Sequence, residues 1–189
     1  MVAHYDRLRL STYQARGTDG RRISILDRGN STFLRFDAVG YFNIVYSQGD
    51  DIFEQFDEID AFYQGSPFGV RLMSPSLGDV GSLAQECQRR GWVPDQHLAW
   101  LSGTCGVARQ QESRVTIRPA WKEESTSFFS AYLEAFDASP ERVPAAIDNM
   151  RHLFDEPSLH FLWALHKGSP AGIGILLEAG ADALLCAGA

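Results

Sequence analysis

No window of this sequence comes near the roughly 18 consecutive apolar residues of a membrane-crossing helix, so no such helix is expected. Cysteine is scarce. Cys87, Cys105 and Cys186 are odd in number and show no C-x-x-C spacing, which argues against a disulfide framework and a structural zinc site. Basic charge is also short: 17 Lys and Arg stand against 24 Asp and Glu, a net charge of −7. The dense basic runs, Arg21-Arg22 and Arg89-Arg90, are too short to follow a phosphate backbone, and no nucleic-acid partner is expected. That acidic balance serves solubility and mildly favours a cationic substrate. The opening residues, Met1 to Arg9, hold no apolar run of the kind a secretory leader carries. With reduced thiols, these features give the expectation of a cytoplasmic protein that meets no membrane. No internal repeat of short period is visible.

What is present is the composition of a folded chain: 189 residues, 44% hydrophobic and 22% charged. Residues 1–21 are polar and end in the turn signal Gly17-Thr18-Asp19-Gly20, reading as a short helix or arm with a loose connection. Arg22–Asp27 reads as a strand, and Phe33–Ser47 as extended with a break at Gly40. The helix signal is clearest over Asp50–Tyr63, where Ile52, Phe56, Ile59 and Tyr63 share one face. Asp51 with Glu54 has the spacing of an acidic capping box, and Gly65 supplies the left-handed stop. Phe68–Met73 is expected as a strand, Asp79–Arg90 as a helix with Val80, Leu83, Ala84 and Cys87 inward, and Gln96–Leu101 as a strand.

A polar stretch at 107–113 marks a linker between a region 1–106 and a region 114–189. Beyond it come a strand from Val115 to Arg118 and a helix over Lys122–Phe136 with a stripe of Phe128, Phe129, Tyr132, Leu133 and Phe136. A second helix starts at Ser139-Pro140 and runs to about Phe154. Strands Leu159–His166 and Ala171–Glu178 join through the turn Lys167-Gly168-Ser169-Pro170, and Ala183–Ala189 forms another strand.

The order strand, helix, helix, strand, hairpin, strand, strand over residues 114–189 resembles the first half of a GNAT-family N-acetyltransferase. Val115-Thr-Ile-Arg-Pro119 followed by Glu123 and Glu124 resembles the family's opening strand and first helix, and Lys167-Gly-Ser-Pro-Ala-Gly172 its hairpin between second and third strands. Residues 68–101, strand, helix, Gly91-Trp92, strand, are similar to the end of that fold. Tyr41-Phe42-Asn43-x-Val45 before an acidic helix is similar to the degenerate first lobe of bacterial proteins with tandem GNAT lobes. The resemblance implies an α+β protein: a mixed, mainly antiparallel GNAT-like sheet flanked by helices, in two partial lobes or one composite sheet. It implies transfer of an acyl group from acetyl-CoA or another acyl-CoA to a small amine. The alternative is a non-catalytic relative that serves as a binding or dimerisation module.

By the same resemblance, Leu185, Cys186 and Ala187 lie where strand backbone meets pantetheine and the acyl group. Their plainer reading is a buried strand. The resemblance also calls for a pyrophosphate loop, Gln/Arg-x-x-Gly-x-Gly/Ala, directly after that strand, where helix N–H groups hold the anion. No such run follows Ala189 in this sequence, and acyl-CoA binding by the 189-residue chain is expected to be weak. Ser47-Gln48-Gly49-Asp50-Asp51 offers no substitute, because carboxylates crowd the helix start. An unfinished edge at 183–189 suggests homodimer pairing.

Other candidates are weaker. Tyr132 and Tyr41 are proton donors by residue type, and Phe33, Phe36, Tyr41 and Phe42 line a pocket or the core. The six acids of 50–60 make a solvated helix face or a patch for a polyamine or basic protein. His4, His97, His152, His160 and His166 lack zinc spacing, Ser74 and Ser76 lack a nucleophile elbow, and Trp92, Trp100, Trp121 and Trp163 read as core.

Overall fold

A computed structural model of the chain describes residues 2–16, 20–49, 51–74, 80–94 and 114–188. The expected strand 96–101 and linker 107–113, with His97, Trp100, Cys105 and Ser76, lie outside the described residues. The chain is α+β, with two four-stranded sheets of mainly antiparallel strands flanked by helices. These sheets are separate, so the described strands do not form the single composite sheet.

The first sheet has the order β1 (Ile23–Arg28), β2 (Ser31–Phe36), β3 (Ile44–Ser47), β4 (Arg71–Met73). Gly29, at φ 53°, turns β1 into β2. Between β2 and β3 the chain breaks as a 3₁₀ turn, Gly40–Phe42. β3 and β4 are parallel, joined by the crossover helix α2 (Ile52–Tyr63). Alternation along β2 and β3 sends Phe33 and Val45 to α2, and Leu34, Phe36, Ile44 and Tyr46 to the opposite face. Buried Arg35 ties α2 down: it donates to the carbonyls of Phe62 (2.6 Å) and Gln64 (3.0 Å) and pairs with Asp37. Helix α3 (Val80–Arg89) adds Leu83 and Cys87 to the α2 side, but Ala84 is exposed.

The second sheet has the order β5 (Val115–Pro119), β6 (Leu159–His166), β7 (Ser169–Ala179), β8 (Asp182–Gly188), every neighbour antiparallel. Helices α4 (Ser125–Ala135) and α5 (Val143–Met150), with a 3₁₀ turn on either side of the pair, connect β5 to β6. One face packs Phe161, Trp163, Ile173, Ile175 and Leu177 against Phe128, Phe129, Leu133 and Met150. The other face, with Leu162, Leu176, Ile117 and Leu185, is covered by none of the described helices, and Leu185 is 64% exposed.

The N-terminal arm is where the fold departs most from expectation. Val2–Arg16 is a 15-residue helix, α1, longer than the short helix or arm expected, and it packs on both cores; most of the expected loose connection, 17–19, lies outside the described residues. At about 100° per residue, Tyr5 and Leu8 point one way and Leu10 and Tyr13 another. The first pair joins the core of the second sheet; the second joins the core of the first. A two-sided helix shows no single apolar stripe, so its sequence reads as polar. Elsewhere, β4 is shorter than 68–73, and α5 begins at Val143 after a turn over Pro140–Arg142. Among the described residues no helix is long and apolar enough to cross a membrane.

Candidate functional site

α1 brings a polar cluster to the seam between the two sheets. Asp6 is 1% exposed, and the hydroxyl of Tyr46, on β3, donates to its carboxylate. Tyr41 donates to the other oxygen at 3.4 Å. Arg9 pairs with Asp6 at 3.2 Å, and its guanidinium lies 4.9 Å from the ring centre of Tyr41, 5.1 Å from Phe42 and 5.5 Å from Tyr5. Burial raises the Tyr46 hydroxyl far above its ordinary pKa, and the adjoining Asp6 raises it further. Burial raises Tyr5 and Tyr41 as well. Tyr5 is 5% exposed and its hydroxyl has no hydrogen-bond partner among the described residues.

The strand expected to meet the cofactor borders this cluster. β8 pairs with β7 on one side and forms a sheet edge among the described strands. Ile175 faces Ala187 and Leu176 faces Leu185, so Cys186 has no partner: it is the extra residue of a β-bulge. The bulge turns both Cys186 and Ala187 toward the helix-covered core, while Leu185 points to the outer face. Burial pushes the Cys186 thiol up to about 11, and Asp6 and Arg9 are close enough to act on it electrostatically. The three predicted site residues therefore divide between two faces. Neither half-buried Cys186 nor exposed Leu185 fits a plain buried strand.

Of the predicted proton donors, Tyr41 walls the cluster, and Tyr132 on α4 comes within electrostatic reach of Tyr5 and Arg9. Sequence reasoning missed Tyr5, Asp6 and Arg9. Their spacing was the available signal, since Asp6 stands three residues and Tyr5 four residues before Arg9, and both spacings make neighbours on a helix. Phe33, Phe36 and Phe42 are core, split between two clusters. Trp121, expected in the core, is exposed instead. It edges a concavity of about 400 Å³ with Lys122, His160, Leu162 and Leu176. There Lys122 pairs with Asp155, and His160 meets Glu178 at 2.9 Å.

The acidic helix is not self-capped. The Asp51 carboxylate accepts from the Asn30 backbone N–H (3.1 Å) and the Gln55 amide (3.0 Å), with no cap to its own helix. Asp57 and Asp60 bind Arg90, and Glu58 binds Arg28, so much of the acidic patch is neutralised within the fold. Among the described residues no group of three or more His, Cys, Asp or Glu could hold a metal ion.

No protein-family model matches this chain, and no curated protein matches it either.

Proposed function

We propose that the protein is an acyltransferase relative of the GNAT type, whose seam receives an acyl thioester along β8 and a small amine from the side of α1. The observation that carries this reading is the bulge at Cys186. It interrupts an edge strand beside a buried carboxylate, a guanidinium and three tyrosines. Bulges next to active sites re-aim side chains and free backbone groups from the ladder. Further support comes from the order β5–β8, with two helices between the first two strands, which is the order the resemblance implies.

The residues present fit the acyl-pantetheine end of such a donor better than its pyrophosphate. An edge strand offers unpaired N–H and C=O groups to an extended amide chain. Nothing in the 189 residues reads Gln/Arg-x-x-Gly-x-Gly/Ala, and the first turn of α2 carries Glu54 beside Asp51. When bound, the thioester supplies the activated acyl group. The protein's own part is to hold the amine, exclude water and manage a proton. Asp6 provides negative charge for a cationic amine before it loses that proton, and the Tyr5 hydroxyl, which has no hydrogen-bond partner among the described residues, can donate a hydrogen bond to the leaving thiolate.

Calorimetric titration tests this reading. Acetyl-CoA and S-acetylpantetheine are expected to bind with similar, weak affinity, with dissociation constants on the order of 1 mM. Absence of saturable binding by both would contradict it. That outcome favours the second reading, a non-catalytic module that dimerises through β8. Its support is the open edge and the exposed Ile117 and Leu185 on the uncovered face. Sedimentation would then show a dimer indifferent to acyl-CoA.

A further inference from the structure

We infer that the seam contains a subsite for a guanidinium or primary ammonium group, and that Arg9 fills it in the conformation described here. The inference deepens the acyl-acceptor reading and rests on it for its catalytic meaning, but the site can be tested without any acyl donor.

A salt bridge between neighbouring turns of one helix needs a carboxylate and little else. Arg9 has more around it. Rings of Tyr5, Tyr41 and Phe42 stand at 5.5, 4.9 and 5.1 Å from its guanidinium carbon. Aromatic faces around a cation, backed by a carboxylate, are how proteins recognise cationic ligands. Much of this enclosure comes from outside α1: Tyr41 and Phe42 from the 3₁₀ turn, and Tyr46, which fixes the carboxylate, from β3. The single direct bond between Arg9 and Asp6 is 3.2 Å long and leaves most of the guanidinium fork free of that carboxylate.

Access and need both favour exchange. Tyr41 forms the outer wall and is 47% exposed, and the Arg9 side chain itself is 15% exposed, so the cage opens to solvent. Asp6 is buried, and a buried carboxylate without a cation is strongly unfavourable. When Arg9 swings outward, a replacement cation offsets that cost. A net charge of −7 enriches cations near the surface. The Tyr5 ring walls the cage, its hydroxyl has no hydrogen-bond partner among the described residues, and the Arg9 guanidinium lies within electrostatic reach of Cys186 at the bulge. The ligand class that fits is a small alkylguanidine or primary alkylamine.

The test is chemical rescue of Arg9→Ala in the full chain, with methylguanidinium as the probe and urea as its neutral analogue. Arg9→Ala is expected to melt several degrees below the unsubstituted protein. Methylguanidinium at about 10 mM should raise that midpoint by a few degrees, saturably, while urea at the same concentration does not. The unsubstituted protein should respond more weakly and only at higher methylguanidinium concentration, because Arg9 competes for the site. Where Arg9→Ala fails to fold alone, refolding in methylguanidinium should recover it. Asp6→Ala/Arg9→Ala should lose the rescue. Equal responses to urea and methylguanidinium, no recovery, or rescue that survives loss of Asp6 would each overturn the inference. Failure here leaves acyl-thioester binding at β8 standing, and failure of that binding leaves the cation site standing.

Discussion

Tyr46 and Tyr5 bring the same functional group into the seam under different conditions. Tyr46 donates to buried Asp6, so Tyr46→Phe leaves a carboxylate short of a partner. The expected loss is about 1–3 kcal/mol of unfolding free energy in urea titration. The Tyr5 hydroxyl donates to nothing among the described residues, and Tyr5→Phe should be neutral or slightly stabilising in the same experiment. A destabilisation by Tyr5→Phe as large as that by Tyr46→Phe would show that the hydroxyl is satisfied. Cys186 is governed by burial. With its pKa up to about 11, the thiol is almost wholly protonated at pH 8. Alkylation by iodoacetamide, followed by peptide mass spectrometry, should run at least about tenfold slower at Cys186 than at a free cysteine. An equal rate would place the thiol in a more polar setting.

At the scale of single elements, the junction of β5 and α4 depends on Glu124. Its carboxylate binds Arg118 at 2.6 Å and accepts the Trp121 backbone N–H at 2.9 Å. The hydrogen bond from Arg118, then that from Trp121, lowers its pKa from 4.5 to about 2. A depressed carboxylate contributes stability that is complete above its unfolded value and is lost as pH falls through its folded one. The stability gap between the unsubstituted protein and Glu124→Gln should therefore be constant above about pH 4.5 and close toward pH 2. A gap that persists at pH 2 would mean that Glu124 acts through packing.

Elements with one apolar stripe, or two residues of strict alternation, were legible from sequence. Ile52, Phe56, Ile59 and Tyr63 are all buried on α2, and the Lys167-Gly168 turn joins β6 to β7 with both residues at positive φ. Those patterns depend on neighbours close in sequence. The seam does not. Arg9 meets Tyr41 and Phe42, and Asp6 meets Tyr46, across more than 30 residues of chain, and their apolar contacts point to two different cores. The bulge at Cys186 was invisible for a related reason. It is a mismatch in register between β7 and β8, and no single strand encodes it.

At the scale of the whole molecule, α1 is the piece that joins the two sheets at one seam. It lends Tyr5 and Leu8 to one core, Leu10 and Tyr13 to the other, and presents Asp6 and Arg9 between them. α1 also packs on α5, a further tie across the seam. The uncovered face of the second sheet lies apart from this arrangement, with the Trp121 concavity on its own side. The central claim is that an acyl-pantetheine chain lies along β8 at the bulge. Amide chemical-shift mapping with S-acetylpantetheine tests it most directly. Shifts are expected at 182–188 and at Tyr5–Arg9, with Trp121 and Lys122 unmoved. Shifts confined to Trp121, Lys122 and His160, with β8 silent at saturation, would contradict it.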